Sequence, residues 1–247
     1  MNSSPVASMR GRAAVVIVLA VAAAAVLGFF VQRHLTQPAL TPDPAATAAA
    51  TAPADSGADT APEGASLADA KVPEVLPQFE LADRDGKLRK LSDWAGRPVA
   101  VNYWATWCAP CRREIPLLNS LRKQRAAQKL EIIGIAVDFR DDVLKYAAET
   151  VIDYPLLIGE EDGLEAVKAV GMQPAFPFTV FADSKQRIVA LKVGELHQDE
   201  ADLILDRVGD IDAGRLELSA AREQISEGLK DLATRRAAAE SATTPGA

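Results

Sequence analysis

The two cysteines of this 247-residue chain, Cys108 and Cys111, stand three positions apart in the segment Trp-Cys-Ala-Pro-Cys. A pair at this spacing can close into a disulfide or open into a dithiol, which is the chemistry of thiol-disulfide exchange. An apolar run typical of a buried strand, residues 99–104, precedes the pair, and a helix-like run, residues 109–127, begins between the two cysteines. Helix N-termini carry partial positive charge and free N–H groups, which favour the thiolate. We therefore predict that Cys108 is the nucleophile and that Cys111 resolves the mixed disulfide.

Two other uses of the cysteine pair are less favoured. A structural zinc site requires four ligands, and the only histidines of the chain, His34 and His197, stand apart from the pair and from each other. A static disulfide that closes so short a loop stabilises little in comparison with one that closes a long loop. The sequence therefore favours a redox-active pair and predicts neither a metal nor a cofactor.

Glu114 is the third residue that could take part in this chemistry. It follows Cys111 by one helical turn, so its carboxylate can return toward the sulfurs. Apolar surroundings would raise the pKa of this carboxyl and let it carry protons during exchange. In the alternative interpretation, Glu114 is a solvated helical carboxylate that pairs with Arg113 or Lys123.

The surroundings of the pair resemble a known family. Residues 101–116, which read Val-Asn-Tyr-Trp-Ala-Thr-Trp-Cys-Ala-Pro-Cys-Arg-Arg-Glu-Ile-Pro, are similar to the active-site segment of membrane-anchored, periplasm-facing thioredoxin-like proteins. This family includes the TlpA, ResA and cytochrome c maturation reductases, and the resemblance covers about residues 72–212. It implies that Glu114 acts in catalysis with the cysteines, and that Trp107 and Pro110 contribute to substrate binding.

A second segment resembles the same family. Phe176 and Pro177 stand in a Phe-Pro-Phe-Thr-Val run that is similar to the family's cis-proline loop. In the family this loop lies against the dithiol, and the residue before the proline faces the substrate. The resemblance therefore predicts a cis bond before Pro177 and assigns both residues to substrate binding. A cis bond there would expose backbone groups of Phe176 to an extended client chain.

The elements that position these residues alternate between strands and helices. Predicted strands cover residues 79–81, 88–90, 99–104, 130–137, 178–181 and 188–193, and predicted helices cover residues 109–127, 141–149, 163–170 and 198–208. A hairpin turn is predicted at Asp85-Gly86, and Ser92 is a candidate cap for a short helical turn. This order predicts an α/β domain with a mixed sheet, and the resemblance implies a thioredoxin fold with helices on both faces of that sheet.

The N-terminal part is typical of a membrane anchor and a tether. Residues 13–31 are apolar and uncharged, and at ~1.5 Å per residue they are just long enough to cross a ~30 Å hydrocarbon core. Arg10 and Arg12 precede the run, which predicts a cytoplasmic segment over residues 1–12 and the rest of the chain outside. A cleaved signal peptide is the alternative, although the apolar run is longer than usual for one. Residues 32–71, rich in Pro, Ala and Thr, are predicted to be a disordered linker.

The C-terminal part, residues 213–247, extends beyond the region of resemblance. A helix capped by Ser219 is predicted there, with an apolar stripe that includes Ala221 and Ile225. We expect this helix to pack on the domain, and docking of a partner or dimerisation is the alternative. Residues 237–247 are predicted to be disordered.

Taken together, these features predict a single-pass protein of the bacterial inner membrane whose thioredoxin-like domain faces the periplasm. The net charge of −7 and the absence of a Lys/Arg-rich block argue against a nucleic-acid partner. The resemblance implies a thiol-disulfide oxidoreductase that reduces client disulfides, with apocytochrome c or copper-site cysteines as clients and a transmembrane electron carrier as the source of electrons. A dithiol oxidase, a thiol peroxidase and a copper chaperone that use the same cysteines are the alternatives.

Overall fold

The computed structural model describes residues 72–243. Within them are seven β-strands, five α-helices, and two short 3-10 helices at Leu91–Trp94 and Ala126–Gln128. The strands are β1 (Glu80–Asp83), β2 (Leu88–Lys90), β3 (Val99–Trp104), β4 (Glu131–Ala136), β5 (Leu156–Ile158), β6 (Phe178–Ala182) and β7 (Ile188–Val193). The helices are α1 (Ala109–Gln124), α2 (Arg140–Glu149), α3 (Glu161–Ala169), α4 (Gln198–Asp212) and α5 (Leu218–Thr243).

The predicted cytoplasmic segment, anchor and linker lie outside the described residues, as do residues 244–247. Among the helices within residues 72–243, none combines the length and the apolar character that a membrane span requires. The described region therefore consists of the predicted thioredoxin-like domain and most of the C-terminal extension.

The seven strands form one sheet in the order β2-β1-β5-β4-β3-β6-β7. The central strands β3, β4 and β5 run parallel, and the remaining pairs are antiparallel. Every residue of β3 and β4 is buried, as their apolar sequences predicted. Helices α1 and α4 contribute to the buried cluster on one face of the sheet, and α3 contributes to the cluster on the other. The predicted mixed sheet and thioredoxin fold are therefore confirmed.

The β1–β2 hairpin forms where the sequence predicted a turn. Gly86 has a φ of +82°, in the left-handed region that glycine adopts most readily. One carboxylate oxygen of Asp83 accepts hydrogen bonds of 3.0 Å from the backbone N–H groups of Asp85 and Lys87. The turn therefore satisfies its own backbone donors.

Two short elements differ from the prediction. Strand β5 was not predicted, because its three residues give little periodic signal and its pairing partners, β1 and β4, are distant in the sequence. The predicted cap at Ser92 is wrong. The 3-10 helix begins at Leu91, so Ser92 lies inside it, and no side chain caps its start.

Helix ends also differ from the prediction. Helix α1 continues past Pro116 but ends at Gln124, before the predicted residue 127, and a separate 3-10 turn follows. Helix α4 continues to Asp212, beyond the predicted residue 208. Helix α5 continues to Thr243, so residues 237–243, which were predicted to be disordered, are helical.

The C-terminal extension packs on the domain through α5. Ala221 and Ile225 are buried in the same cluster as α1 and α4. Arg222 donates a hydrogen bond of 3.1 Å to the carbonyl of Ile188 on β7, and it forms an ion pair of 3.0 Å with Glu74. These contacts fix the first half of the helix against the sheet edge.

Candidate active site

The two cysteines lie at the N-terminus of α1 and are joined by a disulfide. The Cα atoms of Cys108 and Cys111 are 5.3 Å apart. Cys108 is the N-cap residue in an extended conformation, and its sulfur accepts a hydrogen bond of 3.3 Å from the backbone N–H of Cys111. Pro110 lies in the first turn, where its missing N–H has no helical acceptor to lose. This donor and the helix terminus favour a thiolate on Cys108 when the disulfide is reduced.

The two sulfurs differ in their access to solvent, although both residues are buried. Cys108 is 5% exposed and Cys111 is fully buried. Cys108 is therefore the sulfur that a client disulfide reaches more easily, as the sequence predicted. Cys111 lies within the first turn of α1.

The loop before Cys108 is held by an acidic residue that the sequence analysis did not identify. Asp138 is buried just after β4, and it accepts hydrogen bonds from the backbone N–H of Thr106 at 3.0 Å and from the Thr106 hydroxyl. Its other carboxylate oxygen accepts the N–H of Phe139 at 2.8 Å. Because β3 and β4 are parallel, their carboxyl ends meet at one edge of the sheet. The sequence signal that could have identified Asp138 is an aspartate close after a buried strand.

Trp107 and Phe176 form an aromatic surface next to Cys108. Trp107 is 67% exposed, and its ring meets that of the half-buried Phe176 edge-on, with 6.1 Å between the ring centroids. The peptide bond between Phe176 and Pro177 is cis, as predicted. The carbonyl of Pro177 accepts a hydrogen bond of 2.9 Å from Gly194, which fixes the loop. The structure therefore brings Trp107 into contact with the Phe176-Pro177 loop, and Pro110 lies in the first turn of α1.

Glu114 is buried in α1, one helical turn after Cys111, with 1% of its surface exposed. Its Oε1 accepts a hydrogen bond of 2.7 Å from Nδ2 of Asn102, and its Oε2 accepts one of 2.9 Å from the backbone N–H of Leu196. The alternative pairing with surface cations is wrong, because Arg113 pairs with Glu195 and Lys123 pairs with Asp153.

Burial raises the pKa of the Glu114 carboxyl from 4.5 to about 7. The hydrogen bonds from Leu196 and Asn102 lower this pKa, as does the positive charge of Lys192, whereas the negative charge of Glu195 raises it. Such a carboxyl can gain and lose a proton near neutral pH, which suits it to proton transfer during thiol-disulfide exchange.

A second layer of contacts supports the loop that carries Leu196. The side chain of Lys192 is 10% exposed, and its Nζ donates to the carbonyl of Val193 at 2.8 Å and pairs with Glu200 at 3.6 Å. Glu200 is buried and also pairs, at 3.1 Å, with Arg236 from α5. The C-terminal extension therefore contacts the support of the site. A lysine within an otherwise apolar strand was the only signal of this network in the sequence.

Comparison with known proteins agrees with this geometry. Residues 72–191 match the AhpC/TSA family. The thiol-disulfide oxidoreductase ResA of Geobacillus thermodenitrificans is 29% identical over 138 residues, which cover 56% of this chain and 78% of the relative. The thioredoxin-like protein YneN of Bacillus subtilis is 32% identical over 137 residues, which cover 54% of this chain and 78% of the relative. The chain belongs to the thioredoxin-like ResA/TlpA family.

Membership of the ResA/TlpA family makes this protein a thiol-disulfide oxidoreductase of the thioredoxin type, which acts on the thiols and disulfides of client proteins. A secreted thiol-disulfide isomerase from Corynebacterium glutamicum has the same fold, with a TM-score of 0.50 and 24% identity. That comparison covers 55% of this chain and 85% of the isomerase. The Cys108–Cys111 disulfide is the redox centre that such an activity requires.

Proposed function

We propose that this protein is anchored in the bacterial inner membrane and reduces disulfides of client proteins in the periplasm. The observation that carries the proposed chemistry is a buried carboxyl, Glu114, with a pKa of about 7, one helical turn after Cys111 in the helix that begins at the Cys108–Cys111 disulfide. The direction of the reaction is supported by the resemblance to reductases. The location is supported by the uncharged run over residues 13–31 and by the arginines that precede it.

The proposed cycle begins with the reduced dithiol. The Cys108 thiolate attacks one sulfur of a client disulfide, the first client thiolate leaves, and a mixed disulfide forms. The Glu114 carboxylate accepts the proton of the Cys111 thiol, and the resulting thiolate attacks the Cys108 sulfur. The Cys108–Cys111 disulfide closes, and the second client sulfur leaves and takes the proton held by Glu114. Two electrons and one proton have passed to the client, and two electrons and one proton from a transmembrane carrier restore the Cys108 thiolate and the Cys111 thiol.

The client is proposed to dock on the surface formed by Trp107 and Phe176. Their exposed ring surfaces provide apolar contact beside Cys108. The backbone at Phe176 offers hydrogen-bonding groups to an extended chain. Apocytochrome c and copper-site cysteines, the clients of the reductases this chain resembles, are the proposed substrates.

The reduction potential of the Cys108/Cys111 couple, measured on the full-length chain in detergent micelles, tests the direction. A potential near the ~−270 mV of thioredoxin supports a reductase. A potential near ~−120 mV contradicts the proposal and favours a dithiol oxidase. Consumption of peroxide, or tight retention of Cu(I) without exchange activity, would instead favour the peroxidase or the chaperone.

A further inference from the structure

A buried amide lies between Glu114 and the central sheet. We propose that Asn102 is a positioning residue for the proton-transfer step, that it holds the Glu114 carboxylate in place, and that Thr179 in turn holds Asn102. This inference rests on the role of Glu114 in the proposed function and adds two residues to it. Neither residue touches the reacting sulfurs in this proposal, because both act through Glu114.

The geometry of the amide supports this role. Asn102 is 1% exposed and lies on β3, opposite Thr179 of β6 in the antiparallel register. Its Nδ2 carries two hydrogens, and both are used. One hydrogen bond of 2.7 Å reaches Oε1 of Glu114, and the other, of 3.0 Å, reaches the hydroxyl of Thr179. The amide is therefore fixed from both sides, with its donor edge toward the carboxylate.

The same amide carries an energetic cost. The Oδ1 atom of Asn102 is buried and has no hydrogen-bond partner among the described residues. A buried, unsatisfied acceptor destabilises the fold, whereas an apolar residue of similar size at this position would not. The apolar neighbours of Asn102 on β3 show that the strand itself has no need of an amide. We therefore infer that the role of Asn102 lies in the two hydrogen bonds that its amide donates.

Other charged and titratable groups also face Glu114 from the elements around it. The backbone N–H of Leu196 binds Oε2, Lys192 of β7 contributes a positive charge, and Glu195 contributes a negative one. Tyr154, from the loop before β5, lies close enough for the Glu114 charge to raise the pKa of its phenol, which burial already raises. Among the described residues, the amide of Asn102 is the side-chain donor bonded to this carboxylate.

Removal of the Asn102 donor has a defined consequence. A hydrogen bond donated to a carboxylate favours its ionised form, so its loss raises the pKa of the carboxyl. At neutral pH, fewer molecules would then hold Glu114 ionised and ready to accept the Cys111 proton. The Cys111 step should slow at neutral pH and recover at higher pH.

The test measures this step on the reduced full-length chain with dithiobis-nitrobenzoate, which releases one coloured thiolate when Cys108 attacks and a second when Cys111 resolves. The rate of the second release is followed against pH. Asn102→Leu should move the midpoint of this profile upward by about one pH unit, from the strength of a hydrogen bond to a charged group. Thr179→Val should move it in the same direction by less, and Thr179→Ser, which keeps the hydroxyl, should restore the wild-type midpoint.

Two further variants separate the possible failures. Gln186→Met removes a buried amide in the turn between β6 and β7, where it donates a hydrogen bond of 2.9 Å to the carbonyl of Leu91, and should leave the midpoint unchanged. Glu114→Gln should abolish the titration near neutral pH, and adding Asn102→Leu to it should change nothing more in this range. A midpoint near neutral pH that survives Glu114→Gln contradicts the role of Glu114 in the proposed function. If Glu114→Gln loses this titration but Asn102→Leu keeps the wild-type midpoint, only the inference about Asn102 is overturned. If Asn102→Leu does not fold, equal midpoints for Thr179→Val and Thr179→Ser overturn it.

Discussion

At the scale of single residues, Glu114 combines burial with an ionisable group. Its two carboxylate oxygens each accept one N–H donor, which is how a protein usually satisfies a buried carboxylate. These two hydrogen bonds lower the pKa of Glu114 by less than burial raises it, so this pKa remains about 7. The folded protein therefore exchanges a proton at Glu114 in the pH range where thiol chemistry operates.

This raised pKa predicts how Glu114→Gln changes the pH dependence of stability. Between pH 4.5 and about 7 the folded state holds a proton that the unfolded state has lost, so the free energy of unfolding falls as pH rises through this window. This loss of stability is absent below the window and reaches about 3 kcal/mol above it. Urea unfolding of the oxidised protein at pH 4 and pH 8 should show a smaller fall in Glu114→Gln than in the wild type.

The absolute stability of Glu114→Gln is a poor readout, because the new amide turns one of its own donors toward an existing donor. The difference between the two pH values cancels this effect. An identical fall in the variant and the wild type would mean that Glu114 does not titrate in this range.

Trp107 is predicted to matter for clients rather than for folding. Its ring is mostly exposed, so Trp107→Ala should change the free energy of unfolding by less than about 1 kcal/mol. Reduction of a protein disulfide, with insulin as the probe, should slow several-fold more than reduction of dithiobis-nitrobenzoate. Leu88→Ala, at an exposed apolar residue on the edge strand β2, is the matched control. Equal slowing of both substrates would contradict the docking role of Trp107.

At the scale of elements, the C-terminal helix α5 packs against the rest of the domain. Its first turns bury Ala221 and Ile225, and further along Arg236 pairs with Glu200, which also pairs with Lys192. Lys192 lowers the pKa of Glu114 and binds the loop whose Leu196 N–H contacts that carboxylate. An element beyond the family core therefore supports the surroundings of the site.

Ile225→Ala tests whether α5 is part of the cooperative fold. Ile225 is 2% exposed, and removal of its buried methylene and methyl groups should lower the free energy of unfolding by about 2–5 kcal/mol. Glu227→Ala, at an exposed position of the same helix, should change it by less than about 0.5 kcal/mol. Urea unfolding at one pH measures both variants. Similar small changes in the two would indicate that α5 is not packed in solution.

At the scale of the whole molecule, the proposed anchor and linker determine where the site works. An uncharged segment over residues 13–31 and a Pro/Ala/Thr-rich tether would keep the domain near the membrane while giving it reach. A reductase held in this way can alternate between a transmembrane electron carrier and clients that pass along the membrane surface.

Protease treatment of spheroplasts tests this topology. A protease added outside should cut the linker, residues 32–71, and release a soluble domain, while a cytoplasmic marker protein stays intact. This outcome follows from the arginines at Arg10 and Arg12, which favour a cytoplasmic N-terminus. A domain that resists the protease until detergent is added lies on the cytoplasmic side. A domain that is soluble before any protease is added indicates a cleaved signal peptide.

The sequence alone was sufficient for the cysteine pair, the strand before it and the helix after it, because each is a local pattern carried by neighbouring residues or by a periodicity within one element. The Phe176-Pro177 loop was predicted from the family resemblance. The resemblance then linked the patterns to a fold, and the structure confirmed that fold. Strand β5 and the ends of α4 and α5 were missed, because packing against distant elements decides them rather than local propensity.

The tertiary structure alone decided what surrounds Glu114. The sequence placed this carboxylate near the sulfurs and left its partners open between solvent and nearby cations. The donors are Asn102, from the adjacent strand, and Leu196, which lies 82 positions away along the chain. Burial and hydrogen bonding depend on which elements meet in space, and the pKa of a carboxyl depends on both. The sequence was therefore sufficient to predict the chemistry of the dithiol. The pKa of Glu114 depends on the packing of the sheet and helices around it, which only the tertiary structure shows.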